Sequence, residues 1–335
     1  MKKIAFFFGG RGTEHDVSRA SAAALLPRLL ARGLELFPVY VHRDGSLYRL
    51  LDPSVLAHGD PLSACVPVAV IYGGGTLSLE SGDGTAFVPE LCLSVLHGTY
   101  GEDGAWQGLF TLSGIPFVGS GVAASALSMN KVLAKELALS IGIPTARYLS
   151  VRDASDTSLS LVEARLPYPV FVKPVSGGSS LGASRAEDKE TLRGALEAAL
   201  SYDEEALVEE FIEGRELSVA LLEREGELIA SPVGMILTKG VFDYHEKYES
   251  QDAHLAVPAP IDAQTALLAQ HYARRIFRRL GCRHLARVDL FYTERGILFN
   301  EINTLPGFTD ASLYTALFSC AGIDALSLLL SEAER

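Results

Sequence analysis

Apolar residues in this chain fall in short blocks separated by glycine-rich turns, and the spacing within each block predicts its element. IAFFF at 4–8 is apolar on both faces and predicts a buried strand. GGRGTEHDVS leads from it into a helix from about Val17 to Arg32, and LELFPVYV closes a βαβ unit. The stretch 44–88 is punctuated by Gly, Pro and Leu and has no clean period. LCLSVLHG predicts a further strand, YGEDG a loop, the region from Trp106 a helix, and IPFVG another strand. Together these predict an open parallel α/β domain over 1–124.

Residues 125–142 read as one continuous helix ended by Gly142 and Pro144. The rhythm then changes. YPVFVKP predicts a strand, a glycine loop follows, 187–201 predicts a helix, and ALVEEFI another strand. From 216 onward the pattern is β-rich (LSVALLE, GELIASPV and a final hairpin), interrupted by a helix over about 262–280. The expected class is therefore α/β and α+β multidomain, with units at 1–124, 125–215 and 216–335. The polar, aperiodic segment 238–258 is long enough to be a functional lid.

Composition narrows the partners. The chain has 335 residues and a net charge of −12 with no basic run, which disfavours nucleic acid and anionic membrane surfaces. Any phosphate must be held by a few local Lys, Arg and backbone N–H groups. The four cysteines (Cys65, Cys92, Cys282, Cys320) are scattered, which favours thiols in a reducing compartment over disulfides. Glycines break the first apolar run after five residues, so MKKIAFFFGG reads as a strand rather than a signal peptide. No run approaches a membrane span, and a cytoplasmic location is expected.

The candidate chemistry lies in three places. In ARVDLFYTERGILFNEINTLPGFTDASLY (286–314), Asp289 falls in one apolar strand and Glu301 and Asn303 in the next, the last two on one face. Three oxygen donors on adjacent strands suit Mg²⁺, which takes a few carboxylates plus phosphate oxygens and water. Arg287 shares the face of Asp289, and a Pro306–Gly307 turn follows. The glycine loop VKPVSGGSSLGAS (172–184) begins with Lys173 and places Ser179 and Ser180 where a phosphate could be cradled, although it is no Walker A loop. VEEFIEGREL (208–217) offers Glu209 and Glu216 as acceptors for ribose hydroxyls or an adenine amine. GSGVAA (119–124) fits a dinucleotide fingerprint only weakly, because no second strand with a terminal acid follows it. His97 ends a buried strand at the edge where α/β sheets place their sites.

These motifs, with GGRGTEHDVS, LHGTYGEDGAWQG, GSGVAASALSMNK and DYHEKY, occur in an order that resembles the D-alanine–D-alanine ligases of the ATP-grasp superfamily. The resemblance runs nearly end to end. It implies a two-part ATP-grasp fold after the first domain, ATP and two Mg²⁺ ions (Mn²⁺ as a substitute), D-alanine as substrate, and a homodimer. It assigns Lys131 and Lys173 to the ATP phosphates with Ser180 in the loop covering them, Lys247 to the bound cofactor, Glu209, Glu216, Ile212 and Phe291 to the nucleoside, and Asp289, Glu301 and Asn303 to the metal. Arg287 and the Gly307 N–H match oxyanion donors. Asp16, His97, Val17 and Ser18 match the holders of the first D-amino acid, with Ser179 joining Asp16 to Tyr248 on the lid. Ser312 and Leu313 would seat the second.

Three departures stand out. Asp16 occupies a position taken as Glu in the family, with Glu14 two residues earlier as the fallback. Asn130 replaces an Asp and reads as a surface change. TDASLYT differs from the usual TSHSLYP-like ending. The rival functions are a D-alanine–D-serine ligase of the same fold and a nucleotide-binding protein without turnover; an NAD-linked dehydrogenase would rest on GSGVAA alone.

Overall fold

The computed structural model describes residues 2–57, 59–237, 254–309 and 312–327. Its first sheet has the order β6-β5-β4-β3-β2-β1-β7. The strands are β1 (Lys3–Gly9), β2 (Glu35–Val41), β3 (Leu47–Leu50), β4 (Cys65–Gly73), β5 (Thr76–Ser81), β6 (Ala86–Phe87) and β7 (Leu91–Ser94). Only β2-β1-β7 is parallel, and helix α1 (His15–Leu30) makes the first crossover. The unreadable 44–88 stretch forms an antiparallel extension of this sheet. The sheet is thus mixed rather than parallel throughout. β4 alternates half-buried and exposed positions and buries none of its residues fully, which hid it among turn residues. IPFVG contributes one bridge, Phe117 to Cys92, rather than a strand.

Helices α2 (Ala105–Leu112), α3 (Val122–Met129) and α4 (Lys131–Ser140) follow. The expected single helix is broken at Asn130, whose backbone is extended and whose Oδ1 accepts from the Leu133 N–H at 3.0 Å. Asn130 is therefore an N-cap and not a neutral surface change: it starts the helix that carries Lys131. The Lys131 N–H donates to the Val175 carbonyl at 3.0 Å, fastening that start to the end of a neighbouring strand.

A four-stranded antiparallel sheet, β10-β9-β11-β8, comes next: β8 (Tyr148–Val151), β9 (Val170–Pro174), β10 (Ser184–Ala186) and β11 (Ala206–Glu210), covered by α5 (Asp156–Arg165) and α6 (Lys189–Leu200). The last sheet contains β12 (Arg215–Arg224), β13 (Glu227–Ala230), β14 (Gly234–Leu237), β15 (His254–Ala256), β16 (Leu285–Thr293) and β17 (Gly296–Asn303). Helix α7 (Ala263–Leu280) lays Ala269, Ala273, Ile276, Phe277 and Leu280 on it, a stripe at helical spacing. Asp262 caps its start and Gly281, at φ 73°, ends it. α3 and α4 share this core through Ala124, Ala134 and Ala138. The short helix α8 (Leu313–Ser319) packs Tyr314 and Phe318 against the core of the first sheet. All four cysteines are free thiols, and among the described residues no helix is long and apolar enough to cross a membrane.

Candidate active site

A cleft of about 510 Å³ lies between the four-stranded sheet and the last sheet. β9 supplies Lys173, the loop after it Gly177 to Leu181, β11 and its exit Glu209 and Ile212, and β12 Glu216. β16 and β17 add Arg287, Asp289, Phe291, Asn300 and Glu301, and Leu313 closes one end. Ser179 and Ser180 hold φ of 53° and 56°, a region that non-glycine residues rarely occupy. That conformation turns the loop over the cleft. Ile212, Ile236 and Phe291 make an apolar slot beside Glu216.

Buried charge is concentrated at one end. Glu209 Oε1 lies 2.6 Å from Lys135 Nζ, and Oε2 lies 2.7 Å from Lys173 Nζ. Burial opposes ionisation of Glu209, but Lys135 and then Lys173 override it and hold the carboxyl at about 2. Burial also pulls Lys173 down, yet Glu209 and Glu301 more than offset it and leave its pKa raised. Lys131 is lowered by burial; its Nζ donates to the Gly177 carbonyl at 2.6 Å. Lys173 also donates to Asn300 Oδ1 at 3.1 Å.

Asn300 reaches the cleft because of a bulge. Asp289 is paired with Glu301 across β16 and β17, but Leu290 is already paired with Phe299, leaving Asn300 as the extra residue. The period-2 reading of the hairpin could not foresee it. Asp289 is buried and receives Arg287 Nε and Nη2 (2.9 and 2.8 Å), Ser218 Oγ (2.7 Å) and Asn303 Nδ2 (3.0 Å). Two facing carboxylates and an amide form a partial oxygen set. Among the described residues no three His, Cys, Asp or Glu side chains cluster, so ligand oxygens must complete any hard-cation shell. The set fits Mg²⁺ held jointly with phosphates, provided Arg287 yields Asp289.

The other end of the cleft corrects the expectation for Asp16. Its side chain is 70% exposed and pairs with Arg43 (2.7 Å) and Arg19 (3.6 Å), away from the cleft. Glu14 is the buried carboxylate: Ser179 Oγ donates to its Oε1, and Gly98 and Gly178 pack so closely on it that a Cβ at either would collide. Glu14 precedes α1, whereas Asp16 lies two residues on, about 200° round a helix axis, which turns it outward. Glu14 Oε2 is buried with no hydrogen-bond partner among the described residues. The spacing E-x-D left the choice between two acids, and only the direction of the first turn decided it.

Other assigned residues have structural partners. His97 Nδ1 bonds the Leu305 carbonyl at 3.0 Å and Nε2 the Ser21 hydroxyl at 3.0 Å, so both ring nitrogens are engaged; burial lowers its pKa. It therefore fixes the turn before Gly307 rather than offering a free nitrogen. Ser18 is fully buried, accepting from the Gly9 N–H and donating to the Val95 carbonyl, so it knots the ends of β1 and β7 instead of facing substrate. Val17, next to it on α1, is half-buried and does not line the cleft. Ser312 Oγ accepts from the Thr309 N–H at 3.1 Å and lies 2.7 Å from where a Gly307 Cβ would be, so a side chain there would displace that hydroxyl. Lys247, Tyr248 and the 238–253 part of the lid lie outside the described residues.

Sequence reasoning missed Glu102. One oxygen accepts from the Gly98 N–H at 3.2 Å, and the Leu305 N–H also faces the carboxyl. Burial and then the nearby Glu14 push it up to about 8. It also missed Lys135, one helical turn after Lys131; that i,i+4 spacing was the available signal.

A nucleotide-sized cleft between two antiparallel sheets, with buried lysines, a covering glycine loop and an acid pair, defines an ATP-grasp ligase. Comparisons with known proteins narrow this further. Residues 3–120 match the family described as D-ala D-ala ligase N-terminus, and 137–331 match D-ala D-ala ligase C-terminus. The D-alanine–D-alanine ligase A of Mesorhizobium japonicum is 40% identical over 96% of this chain and 93% of its own. That of Mycobacterium tuberculosis H37Rv is 38% identical over 99% and 94%. Among solved structures, the VanG D-Ala:D-Ser ligase of Enterococcus faecalis superposes with a TM-score of 0.88 at 35% identity, covering 99% of each chain. The Coxiella burnetii D-alanine–D-alanine ligase gives 0.85 at 28%, covering 99% of this chain and 94% of that one. The chain belongs to the D-alanine–D-alanine ligase family.

Proposed function

We propose that this protein joins two D-alanines to D-alanyl-D-alanine at the expense of ATP, through an acyl phosphate, to supply peptidoglycan precursor. The observation that carries this reading is the convergence, on one cleft, of Lys131, Lys173, Gly177 to Leu181 and the Asp289–Glu301 pair, with Glu14 of the first domain bonded to that loop through Ser179. A nucleotide-binding protein without turnover would need no buried acid at that far end.

The apolar slot and Glu216 take the nucleoside, with Glu209 as acceptor for the adenine amine. Lys131 and Lys173 take the phosphates, under the Ser179–Ser180 turn. Asp289, Glu301 and Asn303 hold divalent metal, in our reading two Mg²⁺ ions; when bound, these neutralise charge on the transferring phosphoryl group. Glu14 Oε2 receives the ammonium of the first D-alanine and aims its carboxylate at the γ-phosphate. Released from Asp289, Arg287 joins the Gly307 N–H in stabilising the oxyanion as the second amine attacks. Ser312 and Leu313 seat that second residue. Lys247 and Tyr248 belong to the lid assignment made from sequence. We place the enzyme in the cytoplasm as a homodimer built from three units, without nucleic acid or membrane partners.

The test is ADP release and dipeptide formation with D-alanine, D-serine and D-lactate as second substrates. Dipeptide from D-alanine alone supports the reading; D-Ala–D-Ser as the preferred product would move the chain to the activity named for its Enterococcus neighbour. Nucleotide binding without ADP release would reduce it to a binding protein.

A further inference from the structure

The three buried lysines do not have equal access to the cleft. Lys131 and Lys173 line it, whereas Lys135 does not: it is fully buried, one turn further along α4, and it meets only the back of Glu209. Beyond that ion pair, neither Lys135 Nζ nor Glu209 Oε1 has a hydrogen-bond partner among the described residues. Lys173 holds the other oxygen of the same carboxylate. One buried acid is therefore shared by two cations, only one of which can reach a ligand.

We propose that Lys135 is a positioning residue that supplies Glu209 with a permanent counter-charge, so that Lys173 can leave Glu209 for the nucleotide's phosphates. This rests on the assignment of Lys173 to those phosphates. With Lys173 as its sole partner, Glu209 would be stranded as an uncompensated buried carboxylate whenever Lys173 turned to a phosphate, and stranding a buried charge is costly. With Lys135 behind it, Lys135 and Glu209 form a neutral pair. Lys131 and Lys173 then both remain available to the polyanion. Lys135 touches neither substrate nor phosphate; it acts through the other two side chains.

The test uses the full-length enzyme and steady-state kinetics with ATP and with D-alanine varied separately. Lys135→Met should raise the KM for ATP by about tenfold, the scale of one charge-assisted bond, and leave the KM for D-alanine unchanged. In a Glu209→Gln background, where no carboxylate competes for Lys173, the same substitution should change the ATP KM less than twofold. An equal rise in both backgrounds, or a parental ATP KM for Lys135→Met, would overturn the proposal. If Lys135→Met does not fold, Lys135→Gln is read in the same two backgrounds with the same outcomes. Lys173→Met serves as the control. A parental ATP KM there would remove the phosphate assignment itself, whereas a rise there without one in Lys135→Met removes only the role of Lys135.

Discussion

The two ends of the cleft treat buried acids in opposite ways. At the nucleotide end, Glu209 is held between two ammonium groups before any ligand arrives, and its carboxyl stays near 2. At the other end, Glu14 and Glu102 lie close together; Glu14 keeps a buried oxygen with no hydrogen-bond partner among the described residues, and Glu102 is pushed up to about 8. The first end is neutralised in advance and can release a lysine to a polyanion. The second holds its buried acids without a lysine partner among the described residues, and in the proposed function an incoming ammonium would complete it. On that reading, ligand charge accounts for one region being compensated and the other not.

The largest effect is expected at Arg287, which lines the cleft beside Asp289. Arg287→Lys keeps the charge but loses the planar fork, and kcat should fall on the order of 10²-fold. A change confined to the ATP KM would move Arg287 to the nucleotide end. Next comes Glu14→Gln, which keeps the shape but removes the charge awaiting an ammonium. It should raise the KM for the first D-alanine by roughly ten- to a hundredfold, with ATP binding measured by calorimetry unaltered. Equal losses for both ligands would mean that the glycine loop, not the ammonium, depends on Glu14.

Glu102 makes the difference between the two acids depend on pH. Its folded-state pKa lies above the ordinary value of 4.5, so the folded protein binds the extra proton, and stability falls as pH rises from about 4.5 to about 8. Glu102→Gln abolishes that titration. The Tm of the variant relative to the parent should climb between pH 5 and pH 8; a pH-independent difference would show that Glu102 does not carry the proton. At the compensated end, Asn130→Ala removes the cap of the lysine-bearing helix and should cost about 1 kcal/mol in chemical denaturation. The smallest effect belongs to Asp16→Ala, which should leave both KM values within about twofold, as expected for an exposed ion pair. A large rise in the D-alanine KM there would reverse the assignment of Glu14.

How much could be read in advance follows from which interactions are local. The Asp289–Glu301–Asn303 set was legible because strand alternation fixes which residues share a face, and the glycine loop because its composition announces close backbone approach. Two features of the same region were not. The bulge that turns Asn300 toward Lys173 depends on the pairing of two strands, and the cap at Asn130 depends on where α3 ends. Asp16 was preferred to Glu14 because an ordered motif records that an acid is present, not which way it points.

Local periodicity and residue chemistry were enough for the blocks of apolar residues, the fold class and the inventory of lysines, acids and glycines that suits ATP and a D-amino acid. Both survive without knowledge of neighbours. Packing between distant segments is what brings Lys135 to Glu209 across 74 positions of chain (209 − 135) and Ser179 to Glu14. It also decided that His97 spends both ring nitrogens on the protein. Each of those depends on how separate sheets pack, and burial sets the strength of a charge only once that packing exists.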